Sequence, residues 1–269
     1  MGLEIKALHI GDVGLDWSRL LLDFNQGRRT WVPCNCFLIL GSETPILVDT
    51  GFDKAEVMDK YGMKGSETPE QDIVKLVRGH GIQPEDVGYI IHTHLHADHC
   101  GKNQFFPNAK IVIQRKEMAF AAGELKPYHC PYLSWFISNL NRIEFLDGDV
   151  EFLPGIKCVF NGAHTGGHQH VEVETNRGKV IMCGDNVYDI PMQLEGKHPS
   201  GRIWPTGYYF NLQLTMWELY KMKKELDRGT LILPTHAYEV YDRYELGKRF
   251  GDKRRDYEGF SSYEWPPKR

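Results

Sequence analysis

Short apolar runs, each closed by glycine, proline or a polar turn, recur along this chain and set its expected elements. "CNCFLIL", the polar "GSETP" and "ILVDTG" read as two short strands joined by a turn. "TPEQDIVKLVRGHG" changes to helical spacing. Thr68 can cap, Pro69 suits the first turn, Gln71 stands where a capping box needs it, and Ile73, Leu76 and Val77 form one stripe before Gly79 or Gly81. "VGYII" and "AKIVIQ" predict strands, and "RKEMAFAAGEL" predicts a helix. From Ile143 to His164 short strands are broken by "DGD" and "PG"; "HVEVET", "NRG" and "KVIMCGD" then form a hairpin in which Val171 and Val173 alternate with glutamates. "NLQLTMWELYKMKKELDRG" predicts an amphipathic helix with Leu212, Met216 and Leu219 on one face and Gly229 closing it, and "TLILPTH" one more strand. Strand pairs open both halves and helices follow in both, with no linker or repeat between them. The expectation is one α/β domain over residues 1–269, its mixed sheets covered by helices, with 247–269 as a solvated tail.

The strand "VGYII" runs into "HTHLHADHCG". His94, His96 and Asp98 are spaced by two, so on a helix neighbours would point about 200° apart. On an extended exit they line one face, and His99 joins them if the chain turns there. Such a loop at the carboxyl end of a strand is where α/β proteins build sites. Imidazole and carboxylate together suit Zn²⁺ and, less selectively, Mn²⁺, Fe²⁺ or Co²⁺. His164 in "GAHTGGHQ", Asp185 in "CGDNVY" and His236 in "PTHAYE" each follow an apolar run in the same way.

Composition narrows the classes. With 269 residues, 41% hydrophobic and 25% charged positions and a net charge of −4, the chain reads as a soluble globular protein with no call for a polyanionic partner. No opening signal segment and no run near the ~20 apolar residues of a membrane span are present, which predicts a cytoplasmic protein with neither membrane nor nucleic-acid partner. Cys34, Cys36, Cys100, Cys130, Cys158 and Cys183 form no Cys-x-x-Cys pair and read as small core residues; Cys34 and Cys36, two apart, should face one side of a strand.

"HTHLHADH", "HTGGH", "GD" and "PTH", in this order, resemble the metallo-β-lactamase superfamily over most of the chain. The resemblance implies an αββα sandwich, two mixed β-sheets flanked by helices, with a dinuclear metal site at one edge. It implies that His94, His96 and His164 hold one divalent ion, that Asp98, His99 and His236 hold a second, and that Asp185 bridges them, Zn²⁺ being the expected metal. Asp49 in "VDTG" matches the aspartate that orients the histidine loop. "HTGGH" departs from the family at Gly166, where proline is common, and His168 reads as a supporting residue. His9, His80, His92, His129, His170 and His198 read as structural or exposed.

Such a site implies hydrolysis by a metal-bridging hydroxide, with Asp98 passing a proton to the leaving group. Tyr188, three residues after Asp185, and "WVPCNCFLI" resemble the N-acyl homoserine lactonase branch, in which a tyrosine at that offset contacts the substrate carbonyl. The expected substrate is therefore a small-molecule lactone and the expected assembly a monomer or homodimer. Ester, cyclic amide or β-lactam hydrolysis stands as the alternative, and phosphodiester or thioester hydrolysis is less favoured. The flavin-partnered redox type is disfavoured because it carries glutamate where His96 stands. Two aromatic stretches, with Tyr128, Tyr132, Trp135 and Phe136 in one and Trp204, Tyr208, Tyr209 and Phe210 in the other, suit a pocket or an interface equally. Arg202 is a candidate for reading a substrate carboxylate, though a surface charge is the plainer reading.

Overall fold

The apolar runs become the strands of two sheets in a computed structural model that describes residues 2–123 and 130–251. Tyr128, His129 and all but the first five residues of the expected tail lie outside the described residues. The first sheet holds β1 (Glu4–Asp16), β2 (Arg29–Leu40), β3 (Ile46–Val48), β4 (Lys64–Ser66), β5 (Tyr89–Ile91), β6 (Lys110–Gln114) and β7 (Ile143–Leu146), in the order β4-β1-β2-β3-β5-β6-β7. The second holds β8 (Val150–Leu153), β9 (Ile156–Phe160), β10 (Gln169–Thr175), β11 (Gly178–Gly184) and β12 (Leu231–Pro234), in the order β12-β11-β10-β9-β8. Both are mixed. β3, β5, β6 and β7 run parallel while β1, β2 and β4 pair antiparallel. β11 and β12 are parallel in an otherwise antiparallel second sheet.

Alternation along the strands divides the core into three layers. Ile5, Phe37, Ile39, Val48 and Val112 of the first sheet meet Ile156, Val171, Val173 and Met182 of the second in the inter-sheet layer. The opposite faces of the first sheet, with Leu8, Ile10, Leu38 and Ile90, pack against Ile73 and Val77 of helix Ile73–Gly79 and Phe136 of helix Leu133–Ser138. Cys34 and Cys36 both lie in this outer layer, as their spacing requires, and all six thiols are buried and unbridged. Ile181 and Ile232 pack against Leu219 and Met222 of helix Leu212–Asp227 on the far side. Each fully buried side chain of this size contributes roughly 1.5–3 kcal/mol, so the three layers fix the sandwich on which the loops stand.

Two details differ from the sequence reading. Pro69–Gln71 forms a separate 3-10 turn, in which Gln71 Oε1 accepts from Thr68 N at 2.8 Å, and Asp72 caps the α-helix by accepting from Lys75 N at 2.8 Å. In helix Leu212–Asp227 the buried stripe is Thr215, Glu218, Leu219 and Met222, while Leu212 is exposed. Leu212 lies in the first turn beside the Asn211 cap, while Met216 and Leu219 pack with Ile181 and Ile232 as expected.

Candidate metal centre

β5 ends at Ile91 and the chain leaves it extended through His92 to Leu95, then turns at residues 96–99, where His99 N donates to His96 O at 3.1 Å. That turn separates the four ligand candidates into two directions. His94 and His96 point to one centre and Asp98 and His99 to another. The second sheet supplies the remainder from three strand exits: His164 after β9, Asp185 after β11 and His236 after β12.

The result is two buried groups, His94, His96, His164 and Asp185 in one and Asp98, His99 and His236 in the other, each with donor atoms within 4.8 Å of one another. His96 Nδ1 lies 2.9 Å from His94 Nε2 and 3.0 Å from His164 Nε2. Tetrahedral bonds of ~2.0–2.1 Å put neighbouring nitrogens ~3.3–3.4 Å apart, so the rings need part by only ~0.4 Å to admit an ion. Asp185 faces both groups. Its Oδ2 lies 3.4 Å from His164 Nε2 and 4.0 Å from His94 Nε2, while its Oδ1 lies 3.2 Å from His99 Nε2 and 3.5 Å from His236 Nε2. Asp98 Oδ2 completes the second group at 3.4 Å from His236 Nε2.

The chemistry of the donors fits divalent cations. His99 Nε2 and Asp185 Oδ1 are buried and adjacent but lack the alignment of a hydrogen bond, an arrangement costly to leave without a cation. Burial, reinforced by neighbouring imidazoles, pushes His94 well below its usual value and His96 down to about 3, so both are neutral lone-pair donors. The far ring nitrogens are anchored: His94 Nδ1 to Thr93 Oγ1 at 3.0 Å, His164 Nδ1 to Tyr208 O at 2.8 Å, and His236 Nδ1 to Pro33 O at 2.8 Å. A nitrogen that donates to a backbone carbonyl fixes the tautomer that leaves the other lone pair facing the centre.

Asp49 does what its motif suggested. It accepts from Thr93 N, Thr93 Oγ1 and His99 Nδ1, each at 2.8 Å, and so holds both ends of the histidine loop. Burial works to raise its carboxyl, but the His99 charge and the hydrogen bonds from His92 and His99 outweigh that and hold it at about 2. His92 is a supporting residue, 3.0 Å from Asn103 Oδ1 through Nε2. His168 is one as well, 3.1 Å from Asn161 Oδ1 on the His164 loop. Asn35 of β2 ties the last exit down: its N donates to Thr235 O at 3.0 Å and its Nδ2 to Ala237 O at 3.2 Å.

Glu117 escaped the sequence reading. This buried carboxylate accepts from Leu95 N at 2.8 Å, Thr165 Oγ1 at 2.6 Å and Gly167 N at 3.0 Å, clamping the His94–His96 loop to the His164 loop. A Cβ at Gly167 would stand 2.0 Å from Glu117 N, so only glycine allows this approach. The available signal was a carboxylate on the inward stripe of helix Arg115–Ala122, a position where an acid is rarely buried without partners.

Tyr188 stands beside the candidate ligands. Its hydroxyl donates to Asp185 Oδ2 at 2.8 Å, and burial together with that carboxylate raises its pKa well above the usual phenol value, so it keeps its proton. It lines a cleft that also borders His96, Asp98, Asp185, His236 and Tyr208. Among the described residues of the aromatic stretches, only Tyr208 lines this cleft. Phe136 packs in the core, Tyr132 Oη accepts from Asp53 N at 3.0 Å, and Trp204 stacks on His198. Arg202 is exposed and does not line the cleft.

Loops whose side chains could hold cations gather where the exits of the two sheets meet, beside a cleft, an arrangement that fits a metal-dependent hydrolase. The metallo-beta-lactamase superfamily profile matches residues 29–236. An N-acyl homoserine lactonase of Bacillus cereus is 34% identical over 200 residues, covering 69% of this chain and 78% of the relative. The N-acyl homoserine lactonase AttM of Azorhizobium caulinodans is 28% identical over 271 residues, 93% of this chain and 99% of the relative. A solved N-acyl homoserine lactone hydrolase with the product N-hexanoyl-L-homoserine bound at its catalytic metal center superposes with a TM-score of 0.72 at 27% identity, over 90% of this chain and 96% of that one. The chain belongs to the metallo-beta-lactamase superfamily, whose members bind divalent metals, and within it to the N-acyl homoserine lactonase-like branch. No helix among the described residues is long and apolar enough to cross a membrane.

Proposed function

We propose that the chain is a dinuclear lactonase that opens the ring of a small-molecule lactone and releases a hydroxy acid, with Zn²⁺ as its metal. The observation that carries this reading is the division of Asp185 between the two histidine groups, Oδ1 within 3.5 Å of His99 and His236 and Oδ2 within 3.4 Å of His164. His94, His96 and His164 would hold one ion and Asp98, His99 and His236 the other, with Asp185 facing both groups. Bound there, two divalent cations supply the Lewis acidity that activates water near neutral pH and polarises a carbonyl.

The chain's own groups do the rest. Val13, Leu15, Val32 and Met63 line the cleft and exclude water from the ring. Tyr188 keeps its proton beside Asp185, and turning from that carboxylate to the lactone carbonyl lets it donate to the oxygen on which charge develops. Asp98 borders the same cleft and in this reading passes a proton to the departing ring oxygen.

Lactone, ester and lactam panels run on protein of assayed metal content test this reading. Ring opening of lactones with two ions per chain supports it. Faster turnover of lactams or linear esters than of any lactone would replace it with the alternative carbonyl hydrolase.

A further inference from the structure

The cleft beside the metal centre is apolar on most sides, yet one permanent cation lines it. Arg19 stands half-buried in the one-turn helix Trp17–Leu20 that follows β1. Its Nη1 donates to Tyr61 O at 2.7 Å and its guanidinium carbon lies 5.8 Å from the Tyr208 ring centroid. The side chain is therefore held at a fixed place with the rest of its fork uncommitted, and among the described residues no carboxylate forms an ion pair with it. Asp16 feels its charge but has both oxygens engaged, Oδ1 by Ser18 N and Oγ and Oδ2 by Gly27 N.

A guanidinium taken partly out of water is costly without an anion, and a planar fork suits a carboxylate. The Tyr208 ring that Arg19 faces also lies 5.6 Å from the His96 ring and 5.8 Å from the His164 ring. Arg19 thus lines the same cleft as His96, Asp98, Asp185 and His236, beside the aromatic ring that neighbours two of the ligand candidates. Resting on the lactonase reading, we propose that the substrate is an acidic lactone whose carboxylate is bound by Arg19 while its ring carbonyl faces the metal centre. Opening it consumes one water, breaks the ring ester C–O bond and yields a hydroxy dicarboxylate. This sets the chain's substrate apart from uncharged acylated lactones. It also moves the carboxylate-reading role from Arg202, at the surface, to Arg19.

The test uses the full metal-loaded chain with 5-oxotetrahydrofuran-2-carboxylate and its uncharged methyl ester. Wild type should favour the acid, and Arg19→Gln should lower the acid-to-ester ratio of kcat/KM by ~10–100-fold, the range of a charge-assisted hydrogen bond. Arg19→Lys should recover part of it. A purely structural arginine would lose activity on both and leave the ratio unchanged, which overturns the proposal. If Arg19→Gln does not fold, added chloride should raise the wild-type KM for the acid more than for the ester; equal effects overturn it. Turnover of neither compound by a protein that opens other lactones would overturn the proposal, whereas failure on every lactone would sink the lactonase reading instead. Arg19 is then judged by calorimetric binding of cyclopentanecarboxylate, which should weaken in Arg19→Gln; equal affinity in both proteins overturns it.

Discussion

The two sheets contribute to the metal centre in opposite ways. The first delivers four candidate ligands from a single turn, residues 94–99, braced by Asp49 from the neighbouring β3 exit. The second delivers three, one from each of three separate strand exits, and no two of them are neighbours in sequence. A local cluster can be nearly preformed by its own loop. The dispersed set exists only when β9, β11 and β12 are in register, so its geometry depends on the whole second sheet. Asp185 and Glu117 join the halves, one through the ligand groups and the other through loop backbone.

The largest effect should come from breaking the join itself. Asp185→Asn removes the carboxylate that faces both groups, and should release metal and reduce ring opening by more than ~100-fold, beyond the 10–100-fold typical of losing a residue that only supports a ligand. Full activity with two ions in that variant, by elemental assay, would count heavily against the bridging role. Glu117→Gln attacks the second join. Burial pushes the Glu117 carboxyl up to about 7, against the hydrogen bonds from Thr165, Leu95 and Gly167. A neutral amide has one accepting oxygen for three donors, so metal affinity measured against a chelator should fall ~10-fold or more. Unchanged affinity would mean that the two loops hold their places independently.

Tyr188→Phe sharpens the comparison by leaving both ligand sets intact. Activity should drop by ~1–3 kcal/mol of transition-state stabilisation, the scale of a lost oxyanion donor, with metal content unchanged. An unchanged rate would reduce Tyr188 to packing. The smallest effect lies in the second sheet away from the ligands. The hydrogen bond from His170 pulls the Glu172 carboxyl down, against burial and with help from Lys179, to about 2. A carboxyl depressed in the fold stabilises above its ordinary range, near pH 4.5, and that gain is lost as pH falls toward about 2. Glu172→Gln should therefore cost under ~1 kcal/mol at neutral pH, since the site is partly screened. The difference from wild type in denaturant titrations should vanish in acid; a difference that persists at the lowest pH would assign it to packing.

The same contrast explains what was legible in the sequence. "HTHLHADH" announces itself because its four ligands are packed into one run. His164, Asp185 and His236 were marked by standing after apolar runs and by the short "HTGGH", "GD" and "PTH" matches, and their convergence depends on sheet order, which no local pattern encodes. Asp49 carried a motif, whereas Glu117 carried none, since one acid in an amphipathic helix looks like a solvated position until Gly167 is seen against its backbone. Arg19 was invisible for a related reason: the cleft wall is assembled from β1, β2 and the loop around Tyr61, which lie far apart along the chain. In helix Leu212–Asp227 only Leu212 leaves the expected face, in the exposed first turn beside the Asn211 cap, while Met216 and Leu219 pack with Ile181 and Ile232.

Strand β2 binds two of these features into one inheritance. Pro33 O receives the His236 ring nitrogen and Asn35 holds the backbone on either side of His236, while Val32 next door forms part of the cleft wall. Because a strand alternates every residue, an insertion between Pro33 and Asn35 would turn a wall residue outward and carry the carbonyl away from the imidazole together. Length changes are free to accumulate in the turn after Leu40. Within β2 itself, any lineage that reshapes the cleft must do so by exchanging side chains at constant register, or lose a ligand in the same step.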